Sequence, residues 1–265
     1  MRILVTNDDG IHAPGLEVLE GIARELSDDV WTVAPETEQS GKSHSLTLHE
    51  PLRARELAPM RLAVTGTPTD CVGLAVKYLL TDKKPDLVLS GVNRGSNIAD
   101  DVTYSGTVAG AMEGCTLGIR SISLSQAYGF RNRGDGEAGA PDPVPWHTAR
   151  YFGARVVAAL LTLDWPVGIF WNVNFPDAEP EDVGRFEVTR QGRRDVNNLF
   201  IDAREDARGR PYFWLGFNRQ LSNPPEGTDL RAIYEGRITA TPLHMNLTYP
   251  DLVAQAGERL NGGPP

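Results

Sequence analysis

Apolar runs and helically spaced apolar residues alternate through the first 125 residues of the chain. Residues 3–6 are a short apolar run that predicts a buried strand. Residues 16–26 place Leu16, Val18, Leu19, Ile22, Ala23 and Leu26 at helical spacing. Residues 30–34 predict a strand that Pro35 ends, and residues 61–65 another. Residues 71–80 carry Val72, Ala75, Val76 and Leu79 on one helical face. Residues 86–90 predict a strand entering Gly91, residues 107–117 a helix of small residues, and residues 121–125 a further strand. Strands and helices alternating at these lengths predict an α/β fold, with a mostly parallel sheet flanked by helices on both faces.

The pattern then changes. Residues 126–145 are rich in Gly, Pro, Asp and Arg and predict an exposed excursion. Residues 146–163 predict a helix with Tyr151, Ala154, Val157, Ala158 and Leu161 in register, and Ile169–Phe175 a strand. Between positions 184 and 236, polar segments alternate with strand-like pieces at 185–189, Pro211–Phe217 and 233–235. These predict β-hairpins projecting from the main body, whose apolar residues a partner subunit would cover. Residues 261–265 predict a frayed end. There is no internal repeat and no linker, so residues 1–265 are expected to form a single domain.

Composition narrows the classes. A hydrophobic fraction of 40% and a charged fraction of 23% over 265 residues are ordinary globular usage. The formal net charge of -9 argues against a dedicated binder of nucleic-acid polymers, which needs a basic face. It leaves room for a small anionic substrate at a local positive site. The two cysteines, Cys71 and Cys115, form no CxxC pair and read as buried structural thiols. No charged leader precedes the first strand, and no run approaches the roughly 18 apolar residues of a membrane span. A soluble cytoplasmic protein is the expectation.

In an open parallel sheet, ligands bind at the carboxyl ends of the strands. Four polar segments follow predicted strands or precede a helix there: Asn7-Asp8-Asp9-Gly10, Gln39-Ser40-Gly41-Lys42-Ser43, Gly91-Val92-Asn93-Arg94-Gly95-Ser96-Asn97 and Tyr104-Ser105-Gly106-Thr107. In a turn permitted by Gly10, the carboxylates of Asp8 and Asp9 can approach one ion. Their repulsion favours a bound cation or a raised pKa. The plain alternative is an Asp-Asp-Gly turn with a helix cap. With Ser40 and Asn93 the pair would offer four hard oxygen ligands, suited to Mg²⁺ or Mn²⁺, with Ca²⁺ as another occupant. The five histidines show no ligand spacing. Ser105-Gly106-Thr107 opens a helix, and a helix N-terminus is a ready anion site, although ordinary capping explains the same residues.

Competing motifs fail. Gly41-Lys42-Ser43 resembles the end of a P-loop, but the earlier glycine would fall at Glu36. There is no Gly-x-Ser-x-Gly elbow and no Gly-x-Gly-x-x-Gly fingerprint after the first strand. Gly10 stands two residues after Asp8, so the Asp-x-Asp arrangement of aspartyl-phosphate enzymes is absent.

The ordered set of these segments, with Gly66-Thr67-Pro68-Thr69-Asp70-Cys71-Val72, Asn172-Val173-Asn174-Phe175-Pro176, Gly227-Thr228-Asp229 and Thr241-Pro242-Leu243, resembles the survival protein E (SurE) family of nucleotidases. The resemblance spans about residues 1–245. It implies a Rossmann-like core over about residues 1–180, with hairpins and a C-terminal extension over about 181–265 serving oligomerisation. It also implies one divalent metal ion per subunit, hydrolysis of nucleoside 5′-monophosphates, and activity on 3′-nucleotides and short polyphosphate. Homodimers or homotetramers would be the assembly. By motif match Asp8, Asp9, Ser40 and Asn93 are the metal ligands. Asp8 and Asp9 form the catalytic pair, and Asn97, Ser105, Gly106 and Thr107 hold phosphate. The rival readings are a nucleotide-binding regulatory module without turnover and a metal-dependent hydrolase of another ester or amide. Membrane binding is not expected.

Overall fold

The protein, seen in a computed structural model, is described at residues 1–129, 144, 146–194, 199–217 and 223–260. Arg2–Thr6 (β1) is buried at every position, as a strand covered on both faces must be. Its side chains alternate. Ile3 and Val5 enter one apolar cluster and Leu4 enters the other, on the opposite face of the sheet. Pro14–Leu26 (α1) starts with proline, whose missing N–H has no helical partner to lose, and buries Leu16, Val18, Leu19, Ile22 and Ala23. Asp29–Pro35 (β2), Ala54–Ala58 (β3) and Arg61–Val64 (β4) follow. Pro68–Leu74 (α2) opens with a capping box in which Thr67 and Asp70 satisfy each other's backbone N–H groups. It runs on into a π-helical turn, Ala75–Leu79.

Leu87–Arg94 (β5), the 3₁₀ turn Ala99–Thr103, Gly106–Thr116 (α3), Arg120–Gln126 (β6), His147–Leu161 (α4) and Ile169–Phe175 (β7) complete the core. The chain then adds Glu187–Val188 (β8), Leu199–Glu205 (β9), Pro211–Phe217 (β10), Asp229–Tyr234 (α5), Thr239–His244 (β11) and Pro250–Leu260 (α6). Among the described residues the main sheet has nine strands in the order β3-β4-β2-β1-β5-β6-β7-β11-β8. The run from β4 to β7 is parallel throughout. β3 and β11 pair antiparallel with their inner neighbours. Residues of α1 and α4 share a cluster with Ile3 and Val5, while those of α2 share one with Leu4, Val33 and Val88. The expected mostly parallel sheet with helices on both faces is the architecture present.

Two expected strands are different. Residues 233–235 end α5 rather than form a strand. Thr228 caps that helix by accepting from the Arg231 N–H, and Leu230 and Ile233, three apart, bury together beside Ile98 and Ala127. The piece at 185–189 is no projecting hairpin. It contributes β8, which lies parallel to β11 at the sheet edge. The hairpin that stands off is β9–β10, paired antiparallel as a separate two-stranded sheet. It leaves Ile201, Phe213, Trp214 and Leu215 exposed, and α6 buries none of its residues. Gln126, placed in the excursion from sequence, is the buried last residue of β6. Residues 130–143 and 145 of that excursion, and the end at 261–265, lie outside the described residues. Both cysteines are free and buried. Among the described residues, no helix is long and apolar enough to cross a membrane.

Candidate active site

β1 and β5 are parallel neighbours, with Thr6 beside Ser90, so the loops that leave them share one rim. The chain turns after β1 because Asn7 Nδ2 donates to the Gly10 carbonyl at 2.9 Å and Gly10 takes φ 102°, a left-handed conformation that glycine adopts without strain. That turn sets Asp8 into the protein, 4% exposed, with Asp9 beside it partly buried. Three neighbours then converge on the pair. The Gln39 N–H, from the loop after β2, donates to the Asp8 carbonyl at 2.7 Å. The Arg94 N–H, at the end of β5, reaches Asp9 Oδ2 at 3.4 Å, a long contact. Thr107 Oγ1, in the first turn of α3, donates to Asp8 Oδ1 in a short hydrogen bond.

The start of α3 is pressed against Asp8. A Cβ at position 106 would lie 2.8 Å from Asp8 Cβ and 2.9 Å from Oδ2, so glycine is needed for the approach. Ser105 caps the helix by accepting from the Val108 N–H at 3.0 Å. The partial positive charge of the helix start is therefore aimed at the acidic pair.

Burial pushes the Asp8 carboxyl up from 3.8 to about 6, and the charge of Asp9 adds to the rise while the Thr107 bond opposes it. Burial also raises Asp9, against the pull of the Arg94 N–H and charge. The carboxylate of Glu38 raises both. The site thus gathers negative charge in a poorly solvated place, the setting a cation relieves. Among the described residues, no group of three or more His, Cys, Asp or Glu side chains is arranged to hold a metal. The donors available are two carboxylates with neutral oxygens, a set that fits a hard divalent ion and not zinc.

The other sequence candidates fall in different places. Asn93 Nδ2 donates to the Gly95 carbonyl at 2.9 Å, which leaves its Oδ1, the atom a cation would use, outside that bond. Ser40 is exposed and donates to Glu38 Oε1 at 3.0 Å. Asn97 is buried, with its backbone N–H on Asn174 Oδ1 at 2.8 Å and its Nδ2 on Ser125 Oγ at 2.9 Å. Its carbonyl accepts from Asn172 and Asn174. Those bonds brace the loop after β5. Thr107 is fully buried, and its hydroxyl serves Asp8.

Sequence reasoning missed the fastenings of the Ser40 loop. Asp70 accepts from the Thr47 N–H and hydroxyl at 3.0 and 2.6 Å while it also caps α2 through Thr67. Ser43 donates to the Thr103 carbonyl at 2.7 Å, and His44 Nε2 lies 3.0 Å from Glu113 Oε2 on α3. The Thr67-Pro68-Thr69-Asp70 spacing carried the capping signal; its second use on Thr47 had no local signature.

The family model described as "Survival protein SurE" matches residues 3–198. This chain belongs to the SurE family. A relative from Parvibaculum lavamentivorans, named 5'-nucleotidase SurE, is 60% identical over 249 residues, covering 94% of this chain and 87% of the relative. Another of that name, from Caulobacter vibrioides, is 56% identical and covers 100% of this chain and 98% of its own. The crystal structure of SurE protein from Aquifex aeolicus matches with a TM-score of 0.82 and 35% identity, covering 98% of this chain and 99% of that one. The SurE match reaches position 198, so it includes β1, β5, the start of α3 and every residue of the rim described above.

Proposed function

We propose that this chain is a metal-assisted 5′-nucleotidase that hydrolyses nucleoside 5′-monophosphates to nucleoside and phosphate. The observation that carries the reading is the Asp8–Asp9 pair, with Asp8 buried and held against the N-terminus of α3. The names of the relatives at 56–60% identity support the choice of a nucleotide as substrate.

Asp8, Asp9, Asn93 and Ser40 would hold one divalent ion, Mg²⁺ or Mn²⁺, with Ca²⁺ as an alternative occupant. Such an ion supplies charge neutralisation at the phosphate and acidifies water. Asp8 orients the attacking water and takes its proton. The water oxygen bonds to phosphorus as the bond to the ribose oxygen breaks, and the nucleoside leaves with a proton. Ser105 and Gly106, at the start of α3, hold phosphate oxygens through the helix N-terminus. Thr107 keeps the Asp8 carboxylate aimed, and Asn97 keeps the β5 loop in shape. Positioning and electrostatics do most of the work in phosphoryl transfer.

The test is phosphate released from AMP with Mn²⁺ or Mg²⁺ and with excess EDTA. Metal-dependent release supports the reading. Binding of AMP without turnover would favour a regulatory module, and hydrolysis of non-phosphate esters alone would favour another hydrolase. Adding 3′-nucleotides and short polyphosphate to the panel tests the wider range. The exposed apolar residues of β9–β10 and the unburied α6 support a homodimer or homotetramer, which light scattering on the eluted protein measures.

A further inference from the structure

Arg94 stands on the rim without a task in that scheme. Its backbone N–H is tied to Asp9, so the residue is anchored to the acidic pair. Its guanidinium carbon lies 5.3 Å from the centroid of the Tyr128 ring. Tyr128 packs in turn beside Gly95, where a Cβ would stand 3.6 Å from the ring Cε1. A guanidinium stacked on a ring is held by its face, and its N–H edge stays open. Arg94 is exposed, and no carboxylate among the described residues forms a salt bridge with it. The result is a planar cation stacked on Tyr128, with no carboxylate partner among the described residues, next to the pair that would hold the metal.

We propose that Arg94, steadied by Tyr128, binds a non-bridging phosphate oxygen of the substrate and so sets affinity for the phosphate group itself. This deepens the 5′-nucleotidase reading and rests on it. With one face of the guanidinium covered by the tyrosine, its N–H edge remains for an anion, and an edge of parallel donors matches phosphate oxygens. Arg94 therefore contributes equally to any phosphomonoester, whatever the leaving group. Tyr128 is a positioning residue that acts through Arg94.

Kinetics on AMP and on p-nitrophenyl phosphate test this, with inhibition by inorganic phosphate and Mn²⁺ affinity by calorimetry as separate readouts. Arg94→Gln should raise KM for both esters and the inhibition constant for phosphate by about tenfold or more, the loss expected for a charge-assisted contact. Mn²⁺ affinity should be retained, because the backbone bond to Asp9 survives. Arg94→Lys should recover part of the loss. Tyr128→Leu should shift KM in the same direction but less, and Tyr128→Phe, which keeps the ring, should restore most of what Tyr128→Leu loses. A change for AMP alone would mean that the guanidinium reads the nucleoside, and no change in either KM would mean that it reads nothing; both overturn the proposal. Should the wild-type protein release no phosphate from either ester, the functional reading fails first. Calorimetry of inorganic phosphate with the Mn²⁺-loaded protein then decides on Arg94 alone: weaker binding in Arg94→Gln supports its role, and equal binding removes it.

Discussion

Asp8→Asn separates what the carboxylate does for the fold from what it does for chemistry. Burial and Asp9 raise the Asp8 pKa from 3.8 to about 6. At 1.36 kcal/mol per unit this amounts to roughly 3 kcal/mol. A carboxyl whose folded pKa lies above its unfolded one favours the fold only while protonated. Its contribution is complete below about pH 3.8 and is lost as the pH rises through about 6. In the metal-free protein at pH 8, the ionised Asp8 therefore opposes folding by up to that amount. Asparagine keeps the shape and can still accept from Thr107, but carries no charge. In EDTA at pH 8 and equal protein concentration, Asp8→Asn should melt several degrees higher than wild type, at about 2–4 °C per kcal/mol for a chain of this size. The difference should vanish towards pH 4. Mn²⁺ should raise the wild-type melting temperature and leave the variant almost unmoved. Phosphate release should fall by orders of magnitude in the same variant. A lower melting temperature for Asp8→Asn at pH 8 in EDTA, or a wild-type minus variant difference that does not change with pH, would refute the electrostatic account.

Gly106→Ala places a methyl group 2.8 Å from Asp8 Cβ, so the helix start and the carboxylate must separate. A fall of at least about tenfold in kcat/KM with an unchanged far-ultraviolet spectrum is expected, and an unaffected rate would show that their contact is dispensable. Thr107→Val removes the hydroxyl that holds the Asp8 pKa down. The pH midpoint for Mn²⁺ binding should move upward, and a downward move would contradict the assigned bond. Asp70→Ala strands the N–H groups of Thr47 and Thr67 and frees the Ser40 loop. A loss of about 2 kcal/mol or more in urea unfolding is expected, with faster proteolytic cleavage between positions 40 and 48. Wild-type stability would put the anchor elsewhere.

The rim was legible because its signals are local. Asp8 and Asp9 follow an apolar run, Ser105 precedes a helix of small residues, and a parallel sheet brings such ends together. Ile169–Phe175 was bounded correctly by its apolar run alone. The missed elements owe their existence to distant partners. β3 is exposed at four of its five positions, so it carries no buried face to betray it. β11 contains Pro242, which argues against a strand. It is tolerated because β8 pairs with β11 only at Thr239 and Ala240, so the outer edge at Pro242 has no partner to miss its N–H. α5 was misread because its capping threonine and its buried Leu230 and Ile233 matter only once Ile98 and Ala127 are beside them. At the site, sequence supplied the oxygen donors but not their engagements. Thr107 turned inward to Asp8, Asn97 became a brace, and Glu38 and Arg94 entered only when the loops were placed together.

The position of β1 in the middle of the sheet has a consequence for biosynthesis. Its two neighbours are β2, a short distance along the chain, and β5, whose closing contact joins Arg2 to Asp86 across 84 residues. During translation the strand that leads into the acidic pair must therefore wait, with one row of backbone donors and acceptors unpaired and an apolar side chain at Ile3, Leu4 and Val5. At roughly 5–20 residues per second, that wait lasts about 4 to 17 seconds. An unpaired apolar edge is a template for pairing with the wrong strand. The nascent chain is at its most vulnerable before Asp86 has emerged, and substitutions that delay β5 should lower soluble yield more than their effect on the finished fold accounts for.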